Sequence, residues 1–133
     1  MAYCIGKYRT SDPFELADNL GILYQIGNCK HEGCYMFLKN HRYIFLSDKL
    51  DKVDLFVVMA HELGHAILDG KANCYFMRNK TFLLSSKIER RANLFAAYLL
   101  ISDELLEVYQ GYTKEQFCLC TGNPKELLEL RLQ

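Results

Sequence analysis

His61-Glu62-Leu63-Gly64-His65 sets two imidazoles four residues apart, with a carboxylate between them. On a helix, residues four apart lie on one side, one turn above the other. Both rings can therefore turn a nitrogen toward a single point, and a tetrahedral metal accepts two such nitrogens. Glu62 is rotated by about 100° from His61. That places it badly for a third ligand and well for reaching a water at the same metal. Two histidine ligands with an adjacent glutamate base are the parts of a zinc hydrolase. The competing reading is two core histidines satisfied by hydrogen bonds, and the surrounding elements must arbitrate.

The segment carrying these residues reads as a helix opening at Asp51 or Asp54, running to about Leu68 and closing at Asp69-Gly70. Leu55, Phe56, Val57, Val58, Met59, Ala60, Leu63, Ala66, Ile67 and Leu68 make it apolar nearly all round, the signature of a buried helix. Burying two imidazoles and a carboxylate there without partners would cost several kcal/mol. A metal offsets that cost.

Catalytic zinc takes three protein ligands and keeps one position open. A metzincin would place a histidine six residues after His65, where this chain has Lys71, and a glycine at Leu68. That class is excluded. The other common arrangement draws a glutamate from a following helix. Ser86 opens such a helix, running to about Ile101, and Glu89 is its sole carboxylate. Glu89, Ala92, Asn93 and Ala96 share a face, so the glutamate stands beside small residues that admit a close neighbour helix. Ser86-Lys87-Ile88-Glu89 also fits a capping box, in which Glu89 only bonds back to the serine backbone. Asp69, one turn past His65, could hydrogen-bond a ligating imidazole or simply end the helix.

Elsewhere, Ser11-Asp12-Pro13 starts a helix that Gly21 closes. The runs ILYQIG, CYMFLKN and HRYIFLS read as short strands, the last two as a hairpin. An irregular or extended stretch over 70–85 leads to the second long helix. Ser102 caps a shorter helix ended by Gly111, Thr113 to Gln116 matches a capping box, and Asn123-Pro124 opens the last helix. The expected fold class is α+β: a small antiparallel sheet packed on a helical bundle that carries the HExxH motif. Without repeats or linkers, residues 1–133 read as one domain with a C-terminal helical pair at about 113–132.

Sixteen basic residues balance sixteen acidic ones, which counts against a main role on nucleic acid. The C-terminal pair could suggest a helix-turn-helix, yet Lys114, Lys125 and Arg131 face Glu115, Glu126 and Glu129 with no basic surplus. LFVVMA and LFAAYLLI are too short for a membrane span, and the start lacks a signal-peptide stretch. The expected location is the cytoplasm. There the six cysteines are expected free rather than paired. Cys29-Lys30-His31-Glu32-Gly33-Cys34 has metal-capable side chains but no second half with ligand spacing.

With HELGH followed by Glu89-Arg90-Arg91-Ala92-Asn93-Leu94-Phe95-Ala96-Ala97-Tyr98-Leu99-Leu100, the chain resembles the ImmA/IrrE family of metallopeptidases. The opening Asp12-Pro13-Phe14-Glu15-Leu16-Ala17, Ser102-Asp103-Glu104 and the tail from Thr113 extend the resemblance over most of the chain. It implies a zincin-like, gluzincin-like core and one Zn2+ held by His61, His65 and Glu89, with Glu62 as the catalytic glutamate. It further implies cleavage of a helix-turn-helix phage or mobile-element repressor. Position 69, often histidine in such proteins, is aspartate here, and the sensory domain of the radiation-response members has no counterpart in this sequence. The rival function is a zinc-containing module that docks a repressor or partner protein without cutting it.

Overall fold

The computed structural model describes residues 10–69, 74–76 and 87–133. Helix α1 spans Pro13–Leu20, capped by the Asp12 carboxylate on the Phe14 and Glu15 amides and closed by Gly21 at φ 71°. Strands β1 (Leu23–Gly27), β2 (Gly33–Leu38) and β3 (His41–Ser47) follow, then the long helix α2 (Lys52–Leu68). Asp51 is the cap of α2, accepting from the Asp54 amide at 2.8 Å. The short strand β4 (Cys74–Phe76) precedes α3 (Lys87–Leu100), α4 (Asp103–Val108), α5 (Lys114–Thr121) and α6 (Lys125–Arg131). Ser102 caps α4, and Thr113 with Gln116 forms the expected capping box on α5.

The layout is α+β, as its sequence implies. The strands form one sheet in the order β1-β3-β2-β4. β2 pairs antiparallel with both β3 and β4, while β1 runs parallel to β3, so the sheet is mixed rather than antiparallel. The β2–β3 hairpin closes through Lys39 and Asn40 at φ 50° and 64°. Two successive residues with positive φ match the twist of the strands they join. β1 lies on the outer edge of β3, while the outer edge of β2 is taken by β4.

Ile44 and Leu46 on β3 and Tyr35 on β2 are fully buried against α2. α2 buries every residue from Val57 to Ala66, His61, Glu62 and His65 included. Phe14 of α1 meets Phe56 of α2 with ring centroids 5.5 Å apart. On the far side of α2 lies α3, whose Phe95 and Leu99 complete the core with Leu127 and Leu128 of α6. The C-terminal pair thus spends its apolar side on the core. α6 is fixed further by Arg131, which donates to the Ile101 carbonyl at 2.6 Å and lies over the Tyr98 ring at 4.3 Å. Among the described residues no helix is long and apolar enough to cross a membrane.

The crossing of α2 and α3 depends on one missing side chain. A Cβ placed on Gly64 would lie 2.9 Å from Ala92 Cα and 3.1 Å from the Ala92 carbonyl oxygen. These are backbone atoms and cannot yield as a side chain would. Gly64→Ala is therefore expected to destabilise the protein by about 1–3 kcal/mol through overpacking. The check is a urea titration, where the midpoint should fall with an unchanged slope. An unmoved midpoint would show that the helices separate freely.

Candidate metal centre

α2 presents His61 and His65 on its α3 side, and α3 presents Glu89 from its first turn. His61 Nε2 lies 2.9 Å from Glu89 Oε2, and His65 Nε2 lies 3.3 Å from Glu89 Oε1. The two imidazole Nε2 atoms are 3.1 Å apart. All three residues expected at the metal therefore meet, and one ligand atom from each falls within 4.8 Å of the others. The Glu89 carboxylate sets one oxygen against each histidine; the serine of the proposed capping box lies outside the described residues.

Burial and pairing pull in opposite directions in this cluster. His61 is buried, and that burial, outweighing the hydrogen bond to Glu89, holds its pKa below the ordinary imidazole range. Burial alone would raise the pKa of Glu89, but hydrogen bonds to His61 and His65 and their charges bring it down to about 2. The Glu89 carboxylate is thus held as the anion between two imidazoles, and burial opposes a charge on one of them, His61. The His61 Nδ1–H donates to Asn93 Oδ1 at 2.7 Å, which leaves the Nε2 lone pair directed at Glu89. Lone pairs from two rings and a carboxylate converge, and a divalent cation satisfies all of them together.

Glu62, about 100° round the helix from His61, sets its carboxylate beside Gly33 of β2. It is fully buried, and neither carboxylate oxygen has a hydrogen-bond partner among the described residues. Burial first, and the Glu89 charge second, push its pKa well above the carboxylate range. The absence of a side chain at Gly33 of β2 lets α2 lie close there: a Cβ would fall 2.6 Å from Val58 Cγ1, and at contact distance, 3.4 Å, from Glu62 Cγ and Oε2.

Three supporting residues were not singled out for these roles by the sequence. Asn93 stood only as a small neighbour on the Glu89 face, although its position four after Glu89 is the signal that brings it to His61. Gly33 stood only within the Cys29–Cys34 stretch. Arg91, which donates to Asp69 Oδ1, carried no signal, because its partner is on another helix. Asp69 Oδ2 lies 3.7 Å from His65 Nδ1. The Cys29–Cys34 stretch is not among the metal-capable clusters of the described residues; Cys29 and Cys34 are free thiols, and burial pushes Cys34 up to about 11. A cleft of about 360 Å3 beside Val53, Phe56, Leu105 and Tyr109 shares no residue with the cluster.

Residues 13–132 match the family model for the IrrE N-terminal-like domain, a peptidase family designated M78. The chain is 37% identical over 131 residues to immunity region protein 2 of Bacillus phage phi105, covering 96% of this chain and 83% of that protein. It is also 34% identical over 79 residues to the metallopeptidase ImmA of Bacillus subtilis strain 168, covering 56% of this chain and 47% of that protein. With a His/His/Glu cluster that fits a metal, lying on the matched segment, the chain belongs to the ImmA/IrrE family of metallopeptidases.

Proposed function

We propose that the protein is a zinc-dependent endopeptidase in which His61, His65 and Glu89 hold the metal and Glu62 is the catalytic base. The convergence of the two Nε2 atoms and the Glu89 carboxylate carries this reading. Ligands at about 2.0–2.1 Å from a tetrahedral zinc stand roughly 3.3 Å from one another. The two Nε2 atoms are 3.1 Å apart, and each has its own Glu89 oxygen at 2.9 or 3.3 Å. One ligand atom from each residue falls within 4.8 Å of the others, dimensions that a zinc ion's ligand shell can take up with adjustment of the Glu89 side chain. When bound, zinc supplies Lewis acidity that makes water a stronger nucleophile and polarises a carbonyl.

The remaining work falls to the chain. Asn93 fixes the His61 ring and its tautomer. Glu89 brings the negative charge that two neutral imidazoles lack. Glu62 accepts a proton from the attacking water and delivers it to the leaving amine. The surrounding apolar helix excludes bulk water and strengthens each of these interactions.

The proposed substrate is a helix-turn-helix repressor, cut once so that its DNA-binding and dimerising parts separate, within the cytoplasm and by a single metallopeptidase domain. The names of the two relatives, one from a phage immunity region and one a metallopeptidase, support this pairing of target and chemistry. The cut requires a frayed or exposed segment, since a peptide must lie extended to present its carbonyl. The test is incubation of the zinc-loaded protein with the repressor encoded beside its gene, followed by mass spectrometry of the fragments. One cleavage is expected, absent from Glu62→Gln, with casein cut poorly. A repressor left intact but tightly bound would favour docking without cleavage, and rapid unselective casein digestion would remove the specificity.

A further inference from the structure

α2 ends at Asp69, whose backbone N–H donates to the His65 carbonyl at 2.8 Å while its side chain turns back beneath the last turn. Oδ1 of that carboxylate accepts from the Arg91 guanidinium, which reaches across from α3. Oδ2 lies 3.7 Å from His65 Nδ1. The Asp69 side chain is 8% exposed and that of His65 1%. Neither Oδ2 nor Nδ1 has a hydrogen-bond partner among the described residues. The gap between them is too narrow for a bridging water. A closure of about half an ångström makes it a hydrogen bond, provided that Nδ1 carries the proton.

A proton on Nδ1 has a consequence at the other side of the ring. It leaves Nε2 unprotonated, and Nε2 is the atom 3.1 Å from His61 Nε2 and 3.3 Å from Glu89 Oε1. Each imidazole then has its own orienting group: Asn93 for His61, from α3, and Asp69 for His65, from the end of α2 itself. Arg91 is what keeps Asp69 inward. A carboxylate buried this far without a counter-ion would swing out to water. Arg91, 45% exposed, can hold it while keeping part of its own hydration.

We infer that Arg91 and Asp69 form a latch that positions His65, fixing its Nδ1–H tautomer and aiming its Nε2 at the metal site. The latch rests on the zinc reading given above, and both of its members are positioning residues. The experiment measures zinc affinity of the full chain by competition with a chromophoric chelator, and the His65 ring tautomer by nitrogen-detected NMR. Asp69→Ala is expected to weaken zinc binding by about 10–100-fold and to leave His65 in mixed tautomers. Arg91→Ala should move both readouts in the same direction by a smaller factor. Asp69→Asn, which keeps the shape and an acceptor for His65, should retain most of the affinity and serves if Asp69→Ala fails to fold. The charge swap Asp69→Arg with Arg91→Asp restores an ion pair between the helices but sets a cation beside His65, so the affinity should stay low. Wild-type affinity in the swap would show a plain helix tie and overturn the latch, as would an Asp69→Ala protein with unchanged affinity and tautomer. The ring measurement also works on metal-free protein. A wild-type chain that bound no zinc would therefore sink the zinc reading, while the tautomer still decided the latch.

Discussion

Glu62→Gln is expected to keep the fold and the zinc and to lower peptide cleavage by about 10²–10⁴-fold. The substitution preserves shape and removes only the ability to take a proton. Gln is also the less costly residue in this position when no metal is bound. The carboxylate is fully buried with both oxygens unpartnered among the described residues, and burial raises its pKa far above the ordinary value of 4.5. The folded state therefore binds a proton that the unfolded state has released, and wild-type stability falls as pH rises from about 4.5 toward the raised folded value. The variant has no such titration. Its stability advantage over wild type, measured by urea unfolding of metal-free protein, should be near zero in acid and grow as pH rises through that window. A variant that still cut at a tenth of the wild-type rate would remove Glu62 from the chemistry. A pH-independent stability difference would instead argue that the carboxylate is solvated.

Glu89→Ala is expected to release the metal. The two nitrogens that remain carry no negative charge, so zinc affinity should fall by more than the about 10–100-fold typical of losing a supporting partner. The same change appears in stability. Zinc at about 1,000 times its dissociation constant adds about 4 kcal/mol to a protein that binds it only when folded. Wild type should gain roughly 10–20 °C of melting temperature under those conditions, and the variant almost none. If Glu89 were only a helix cap, the outcome would differ in kind: the variant would lose about 1 kcal/mol, hold zinc as before, and still gain stability from it. Calorimetry with and without zinc separates the two.

Much of the candidate centre was legible because its rules are local. The spacing of His61 and His65 needs only the helical period, and the apolar run from Leu55 announces a buried helix. The caps at Asp12, Ser102 and Thr113 are set within three residues. Glu89 could be reached by elimination, since no other carboxylate lies on the helix that follows. What stayed hidden depends on contacts between distant segments. No period in the strand LYQIG says that it will lie parallel to β3. Nothing near Gly33 shows that its missing side chain makes room for Val58 of α2. Arg91 was a solvated basic residue until α3 was seen to cross the end of α2, where Asp69 waits.

The contact of Gly64 with Ala92 acts as a gauge. Backbone atoms within about 3 Å of the place where a Cβ would sit set a hard lower limit on how near the two helices come, and apolar packing along the same interface resists their moving apart. The ligand side chains start from that crossing, which sets how far each must reach to meet the others. Gly64 thus sets how near α2 comes to α3, and with it the range over which His61 and His65 can meet Glu89.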